Sequence, residues 1–119
     1  MDTYIKNLIS GLKGKGYFPI TEPNDKEQIK QVLIEFDSAD IEKETQATYR
    51  YAPTISMTTE VQIEDMDAVI KELIGIAEVA VTTTMRDFQI NKIDMDKFGT
   101  THMLKISGSY IEIINTGVA

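Results

Sequence analysis

The feature that most constrains the fold is a long stretch of alternating apolar and polar residues, VTTTMRDFQINKIDMDKFGTTHMLKISGSYIEII, at residues 81–114. Phe88 and Ile90 alternate before a central Gly99, and apolar residues alternate again after it. A period of two residues is typical of a strand with one buried face. Because glycine tolerates the positive φ of a tight turn, the pattern predicts one long hairpin. Gly108 interrupts the second strand and indicates a β-bulge.

Two helices are predicted from apolar residues spaced three and four apart. Residues 2–13 carry one such stripe, which ends at the GKG of residues 14–16. Residues 64–75 carry a second stripe that begins among acidic residues, and this helix can extend to Ala80. Acidic residues favour a helix N terminus because they face the positive end of its dipole. Each stripe predicts an amphipathic helix with one buried face.

The segment between the helices begins with an extended connection. Two prolines exclude a regular element there and leave room only for a short edge strand at Tyr17–Ile20. Residues 25–37 fit both a helical stripe and an alternating strand. The β-branched and aromatic residues of Val32–Phe36 favour the strand.

A charged segment and a further long strand follow. Residues 37–46, DSADIEKETQ, are polar and are predicted to form a loop, whereas residues 47–63 are predicted to form a strand. Pro53 cannot donate to a strand ladder, so it marks an edge or a bulge. The order of elements predicts a single α+β domain over residues 1–119. Its mostly antiparallel or mixed sheet is covered on one face by two helices.

The composition supports a core and excludes several kinds of chemistry. The chain has 119 residues, 42% of them hydrophobic, which is enough for one domain to fold without cross-links. It has no cysteine, which excludes disulfides, a thiolate nucleophile and cysteine metal sites. The net charge of −7 argues against a protein that grips nucleic-acid phosphates. Polar residues interrupt the segment MDTYIKNLISGL, so we expect no signal peptide, no membrane span and a cytoplasmic protein.

The stretch IDMDKFGTTHML inside the hairpin begins like a calcium-binding loop. Asp94, Asp96 and Gly99 occupy the first, third and sixth places of an EF-hand loop. Phe98 stands at the fifth place, which needs Asp or Asn, and Lys105 stands at the twelfth, which needs a bidentate Glu. We therefore expect no metal site, and we predict that DMDKFG, residues 94–99, is the polar tip of the hairpin, with Gly99 supplying the positive φ of its turn.

The remaining residues with reactive side chains support no enzyme class. The only histidine, His102, could lie near Asp94 or Asp96 across the hairpin, but no nucleophile motif accompanies it. The glycines of GLKGKG follow a helix rather than a strand and lack the GK[ST] of a phosphate-binding loop. We expect a non-enzymatic protein without a cofactor, which works through its surfaces.

Three segments define the order of elements on which a family resemblance rests. VLIEFDSADIEKETQATYRY reads as strand, charged loop and return strand, and ISMTTEVQIEDMDAVIKELI reads as a strand that runs into the second helix. RDFQINKIDMDKFGTTHMLKISGSYIEI reads as a final hairpin with an acidic turn. This order, which covers nearly the whole chain, resembles the tail terminator (tail completion) proteins of long-tailed bacteriophages.

The resemblance implies a structural virion protein that forms a homo-oligomeric ring, typically a hexamer. Such a ring caps the tail tube and offers a docking face to the head. Its partners are further copies of the chain, the tail tube protein and a head-completion or connector protein. DNA crosses the ring without being specifically bound, and no membrane is involved. The implied location is the head-proximal end of the virion tail, after assembly in the host cytoplasm.

The residues expected to contact other subunits or partners fall into two groups. The first group lies in the strand–loop–strand unit and comprises Glu42, Glu44, Tyr49, Arg50 and Tyr51. The second group lies at the hairpin tip and comprises Asp94, Asp96, Lys97 and Phe98. The charged loop is expected to pair with basic residues of a neighbouring copy, such as Arg50, Arg86 or Lys92. Such peripheral pairs set register more than affinity.

Two other functions remain open from the sequence. One is a small ligand-binding or regulatory module that holds a ligand between the helices and the sheet. The other is an enzyme whose site the sequence does not display. A ring subunit should assemble as its concentration rises, whereas a ligand-binding module should stay monomeric and gain thermal stability from a small molecule.

Overall fold

The computed structural model describes residues 2–23 and 29–117, apart from the side chain of Phe98. Within these residues the chain forms two α-helices and five strands, with a 3-10 turn at Ile63–Asp65 before the second helix. The elements are α1 (Asp2–Gly14), β1 (Phe18–Ile20), β2 (Gln31–Lys43), β3 (Thr48–Val61), α2 (Met66–Val79), β4 (Arg86–Phe98) and β5 (Thr101–Asn115). The sheet order is β1-β2-β3-β5-β4. Among the strands of the described residues, β1 and β2 form the one parallel pair, which confirms the predicted α+β fold with a mixed sheet.

Both helices pack on one face of the sheet. α1 contributes Tyr4, Leu8 and Leu12, which recur every four residues and are buried. α2 contributes Leu73 and Ile76 to the same core. The strands contribute alternate residues to this core: Val32, Ile34, Ile55, Met57, Leu104, Ile106 and Tyr110.

The strands are much longer than the helices that cover them. β2, β3 and β5 have 13, 14 and 15 residues. At about 3.3 Å per residue each strand spans roughly 45 Å, whereas α2 spans about 21 Å at 1.5 Å per residue. The protein measures 56 × 26 × 24 Å along its principal axes. The strands therefore run past the helices, and we call residues 38–43, 48–53 and 111–115 the sheet extension.

The ambiguous segment at residues 25–37 is a strand from Gln31 onward, which confirms the strand predicted at Val32–Phe36. Its first part falls in residues 24–28, which lie outside the described residues. The expected short edge strand is β1, which pairs with residues 31–33.

The loop predicted at residues 37–46 is wrong for most of its length. Residues 37–43 continue β2, and only residues 44–47 separate β2 from β3. Within this stretch Ile41 lies opposite Tyr51 of β3. The strongly alternating β3 supplies a partner for each of residues 38–43, whereas Asp37 is the extra residue of a bulge. Cross-strand pairing therefore overrides the polar composition of the segment.

Pro53 lies inside the sheet, so the prediction that it marks an edge is wrong. β3 has β2 on one side and β5 on the other. The ladder between β3 and β5 omits Ala52 and Pro53, which accommodates the missing N–H of proline. The nearby bulge lies in the neighbouring strand, at Asp37 of β2.

β4 and β5 form the predicted long hairpin, but its turn is shorter than expected. Phe98 pairs with Thr101, so only Gly99 and Thr100 lie in the turn. Gly99 has a φ of +63°, and a glycine with positive φ at the first central position suits a type II′ turn. Residues 94–99 therefore lie at the tip of the hairpin with Gly99 at positive φ, as predicted, but residues 94–98 are the end of β4 rather than part of the turn.

Gly108 lies beside a bulge, but the extra residue belongs to the opposite strand. The register between β4 and β5 shifts between Ile90 and Lys92, which leaves Asn91 as the extra residue. A Cβ atom at Gly108 would lie 3.0 Å from the carbonyl oxygen of Gln89. The glycine is therefore required because the backbone of β4 approaches closely.

Candidate functional site

The sheet extension exposes large apolar side chains on both faces. Because side chains alternate along a strand, Ile41 and Ile114 lie on the face that carries the helices, and Ile113 lies on the opposite face. Their exposed fractions are 63%, 41% and 42%, respectively. Phe36, just before the extension, is 48% exposed on the helix-bearing face. Clustered apolar surface of this kind is typical of a contact with another molecule.

Tyr49 and Tyr51 lie among these apolar side chains and are half-buried. Tyr49 pairs with Lys43 on one side and Ile114 on the other, and Tyr51 pairs with Ile41. The Nζ atom of Lys43 lies 5.9 Å from the centre of the Tyr49 ring. Tyrosine combines an apolar ring with a polar hydroxyl, which suits both to a protein interface.

Hydrogen bonds hold the turn at the far end of the extension. The hydroxyls of Thr45 and Thr48 lie 2.7 Å apart, and Thr45 Oγ1 accepts a bond from the N–H of Thr48 at 3.1 Å. The N–H of Glu44 donates to the carbonyl oxygen of Thr48 at 3.1 Å. The N–H of Thr116 donates to the carbonyl oxygen of Ala47 at 2.8 Å, which ties the end of β5 to the turn. The extension is therefore a three-stranded platform with a fixed turn.

Glu42, Glu44 and Arg50 are exposed on this platform. Glu42 lies in β2 rather than in a loop, and its cross-strand partner is Arg50 of the same chain. Opposite charges directly across a ladder interact favourably. The structure therefore places a basic partner for Glu42 within the chain, which the loop prediction did not anticipate.

Asp94, Asp96 and Lys97 lie in the edge strand β4. The Nζ atom of Lys92 lies 3.6 Å from Asp94 Oδ1 on the exposed surface. Asp94 also lies opposite Lys105 of β5. These charges are largely solvated, so each pair contributes at most about 1 kcal/mol to stability.

The two groups of predicted contact residues lie at opposite ends of the sheet. Measured along the strands, the first group lies beside Ile114 of β5, and the second group extends as far as Thr101 of β5. At about 3.4 Å per residue, these two positions are roughly 44 Å apart. The structure does not bring the two groups together within one chain.

His102 faces away from the carboxylates suggested as its partners. It pairs with Lys97, whereas Asp96 pairs with Met103. Since neighbouring residues of a strand point to opposite faces, His102 lies on the face opposite Asp94 and Asp96, and the suggested proximity is wrong. Within residues 2–23 and 29–117, no three acidic or histidine side chains are placed to hold a metal ion.

The tyrosines with clearly perturbed pKa values include Tyr4 and Tyr110. Burial, followed by the charge of Tyr110, raises the pKa of Tyr4 above its ordinary value. Burial, followed by the carboxylate of Glu112, raises the pKa of Tyr110. The Tyr4 hydroxyl donates to the carbonyl oxygen of Ala77 at 3.1 Å, which links α1 to α2. Both phenols therefore stay protonated at neutral pH, and the role of Tyr4 is structural.

The space between the helices and the sheet has little room for a ligand. The cavity lined by Tyr4, Leu8 and Ile106 measures about 10 Å³, which is roughly the room for one water molecule. A larger cleft of about 840 Å³ lies between α1 and α2 and is lined by Asn7 and Lys71 among others. The larger of these two spaces therefore lies between the two helices rather than between the helices and the sheet, and the alternative function stays a prediction.

The sequence analysis missed the two open edges of the sheet. β1 pairs only with residues 31–33, so residues 34–43 of β2 have one neighbouring strand among the described residues. Among the described residues, β4 likewise has one neighbouring strand, which is β5. Alternation identifies a strand but not its neighbours, so no pattern in the sequence could locate these edges.

Comparisons with protein-family models and with curated proteins found no match for this chain. Among the described residues, no helix is both long enough and apolar enough to cross a membrane. The exposed surfaces and open edges of the sheet are the features that bear on function.

Proposed function

We propose that the chain is a structural subunit that assembles with copies of itself into a ring, and that the ring caps a bacteriophage tail tube and joins it to the head. The sheet extension is the observation that carries this proposal, since Ile41, Ile113 and Ile114 are exposed there on both faces. A platform with apolar surface on both sides is suited to contacts with more than one neighbour.

The sheet extension is already ordered in the monomer, so its association with another chain should cost little conformational entropy. Thr45 and Thr116 fix its turn through hydrogen bonds, so little loop ordering has to accompany association. Full burial of one isoleucine side chain contributes about 1.5–3 kcal/mol. Several such side chains, together with Tyr49 and Tyr51, are the groups expected to contribute most to a contact between subunits.

The assignment to a phage tail is supported by the order of elements. One helix, a short edge strand, two long strands, a second helix and a long hairpin follow one another in the structure. This order resembles the tail terminator family. The net charge of −7 suits a ring that DNA crosses without binding. The proposed partners are the tail tube protein and a head-completion protein.

Size-exclusion chromatography with light scattering over a range of protein and salt concentrations tests the self-assembly. We expect a mass close to six times that of the chain at high concentration. The double substitution Ile41→Ser and Ile114→Ser should lower the assembled fraction at least about tenfold, because it removes apolar contact area. Val79→Ser is the matched control, since Val79 is 85% exposed but lies on α2. It should assemble like the unmodified chain.

Electron microscopy of purified tail tubes incubated with the protein tests the phage role. We expect the protein at one end of each tube. If the protein assembles but does not bind tubes, the proposal of self-assembly is kept and the assignment to a phage tail is overturned. A monomer at every concentration that also fails to bind tubes would overturn the whole proposal.

A further inference from the structure

The two open edges of the sheet reach the same level, meaning the same position along the strands. Ile34 of β2 pairs with Met57, which pairs with Ile106. Ile106 in turn pairs with Ile93 of β4. Ile34 and Ile93 therefore mark one level of the sheet, with one residue at each edge.

Among the described residues, β2 is open only from this level towards Lys43, because β1 lies beside residues 31–33, whereas β4 is open along its whole length. Residues 94–98 of a neighbouring copy's β4 would meet β1, so they have to turn away from the sheet, and only the part of β4 before this level can pair with β2. Asp40 of β2 pairs with Ala52, and Arg86 of β4 pairs with Ile111. Ala52 and Ile111 lie at the same level, because the neighbouring residues Tyr51 and Glu112 pair with each other. We call residues 34–40 the β2 edge and residues 86–93 the β4 edge.

Strand direction makes the two edges compatible. β2 is antiparallel to β3, β3 to β5, and β5 to β4. β2 and β4 therefore run in opposite directions. If a second copy is placed beside the first by rotation about a ring axis, its β4 lies antiparallel to the β2 of the first copy. Antiparallel pairing is the more stable arrangement of two strands.

The charges on the two edges are complementary at matching levels. Glu35 pairs with Ser56, Ser56 with Ser107, and Ser107 with Lys92. If the two edges pair so that residues at the same level lie opposite each other, Lys92 of the next copy lies opposite Glu35. Such pairing would likewise place Arg86 of the next copy opposite Asp40. All four side chains lie on the face away from the helices and are exposed in the chain.

The apolar side chains on the other face are also complementary. Phe36 pairs with Ile55, which pairs with Gly108, and Gly108 pairs with Ile90. The same pairing of the two edges places Ile90 of the next copy opposite Phe36, which is 48% exposed. Cross-strand pairs of aromatic and β-branched residues are favourable, and this one would extend the core of each copy.

Pairing of two β2 edges with each other is disfavoured. The β2 edge carries the exposed carboxylates of Glu35 and Asp40 and no basic residue. Its third carboxylate, Asp37, lies 3.8 Å from Lys105 Nζ of the same chain and is thereby compensated. Two such edges side by side would bring like charges together. The β4 edge instead carries two basic residues, Arg86 and Lys92, and one acidic residue, Asp87. The charges therefore select a head-to-tail contact, which closes into a ring when its rotation permits.

We propose that the β2 edge of one copy pairs with the β4 edge of the next copy, so that one antiparallel sheet continues through the assembly. The partner that fits this surface is a second copy of the chain. The inference rests on the proposed function because it names one contact between the copies of the proposed ring, in addition to the contact made by the sheet extension.

Disulfide cross-linking tests this contact, since the chain has no cysteine of its own. Variants with Glu35→Cys and Lys92→Cys are mixed and oxidised, and the products are separated by non-reducing electrophoresis. Residues directly opposite each other in an antiparallel pair have Cα atoms about 4.5–5.5 Å apart, within the range of about 4.4–6.8 Å for a disulfide. We expect cross-linked dimers from the mixture. The chain that carries both substitutions should give a ladder that ends at the closed ring.

The matched control replaces Lys92→Cys by Asp96→Cys. Asp96 is exposed on the same face of the same edge strand, but lies about 13 Å further along it, so its yield of cross-linked dimer should be about tenfold lower. A control yield equal to that of Lys92→Cys would overturn the inference. Assembly by light scattering without the Glu35–Lys92 cross-link would also overturn it and leave the ring standing. Absence of both assembly and cross-link would overturn the inference and self-assembly together.

Discussion

The helix-covered part of the sheet and the sheet extension share strands but differ in what lies over them. In the covered part of β2, Val32 and Ile34 are buried under the helices. Further along the same strand, Ile41 is 63% exposed. Alternation specifies that a strand has an apolar face, but it does not specify which molecule covers that face. The comparison teaches that the covered part stabilises the monomer, whereas the extension and the edges are available to other chains.

The largest expected effect separates stability from assembly. Leu8, on α1, is 1% exposed in the core, so Leu8→Ala should lower the free energy of unfolding by about 2–5 kcal/mol. Ile41→Ala should change it by less than about 0.5 kcal/mol in the dilute monomer, because an exposed side chain loses little on truncation. Urea unfolding followed by circular dichroism measures both. A loss from Ile41→Ala as large as that from Leu8→Ala would end the distinction between the two regions.

A smaller effect is expected from two glycines in the covered part. Gly108→Ala would place its Cβ 3.0 Å from the backbone oxygen of Gln89, which should cost about 1–3 kcal/mol through overpacking. Gly75→Ala is the matched control, because no atom lies within 4 Å of its added Cβ in α2. It should stabilise the protein by about 0.5–1 kcal/mol through helix propensity. Thermal melts of both variants provide the measurement, and a stabilising Gly108→Ala would contradict the close approach of β4.

The smallest expected effect is a loss of stability at alkaline pH from the covered part. Since the pKa of Tyr4 is raised above its ordinary value of 10.0, its contribution is complete below pH 10 and declines as the pH rises further. The decline from one such phenol is at most about 1.4 kcal/mol per pH unit. Urea unfolding at pH 8, 10 and 11 measures it.

Two variants connect this pH dependence to one region. Tyr4→Phe should be less stable at pH 8, because it loses the hydrogen bond to Ala77, but should decline less steeply above pH 10. Ile41→Ser should retain the slope of the unmodified chain, because Ile41 lies on the extension. An unchanged slope in Tyr4→Phe would show that other groups cause the alkaline loss.

Most of the fold could be predicted where local pattern and burial agree. The stripe of α1 and the alternation of β4 and β5 each repeat over many residues. α1 was predicted with nearly correct bounds, whereas the hairpin was predicted from residue 81 and begins only at Arg86. Residues 37–43 were predicted wrongly because their only large apolar residue is Ile41, so their strand depends on pairing with β3. For the same reason the predicted contact residues Glu42 and Arg50 were not recognised as partners of each other.

The sequence by itself determined the order of the helices and strands, the core face of the strongly periodic ones and the absence of cysteine chemistry. These follow from hydrophobic periodicity, which depends on residues close together in the chain. Only the tertiary structure decided which strands became the edges and how far the strands extend beyond the helices. It also decided that Glu35 and Lys92 lie at the same position along the strands. These properties depend on pairing between segments far apart in the sequence, and the side-chain pattern of one strand carries no record of its neighbours.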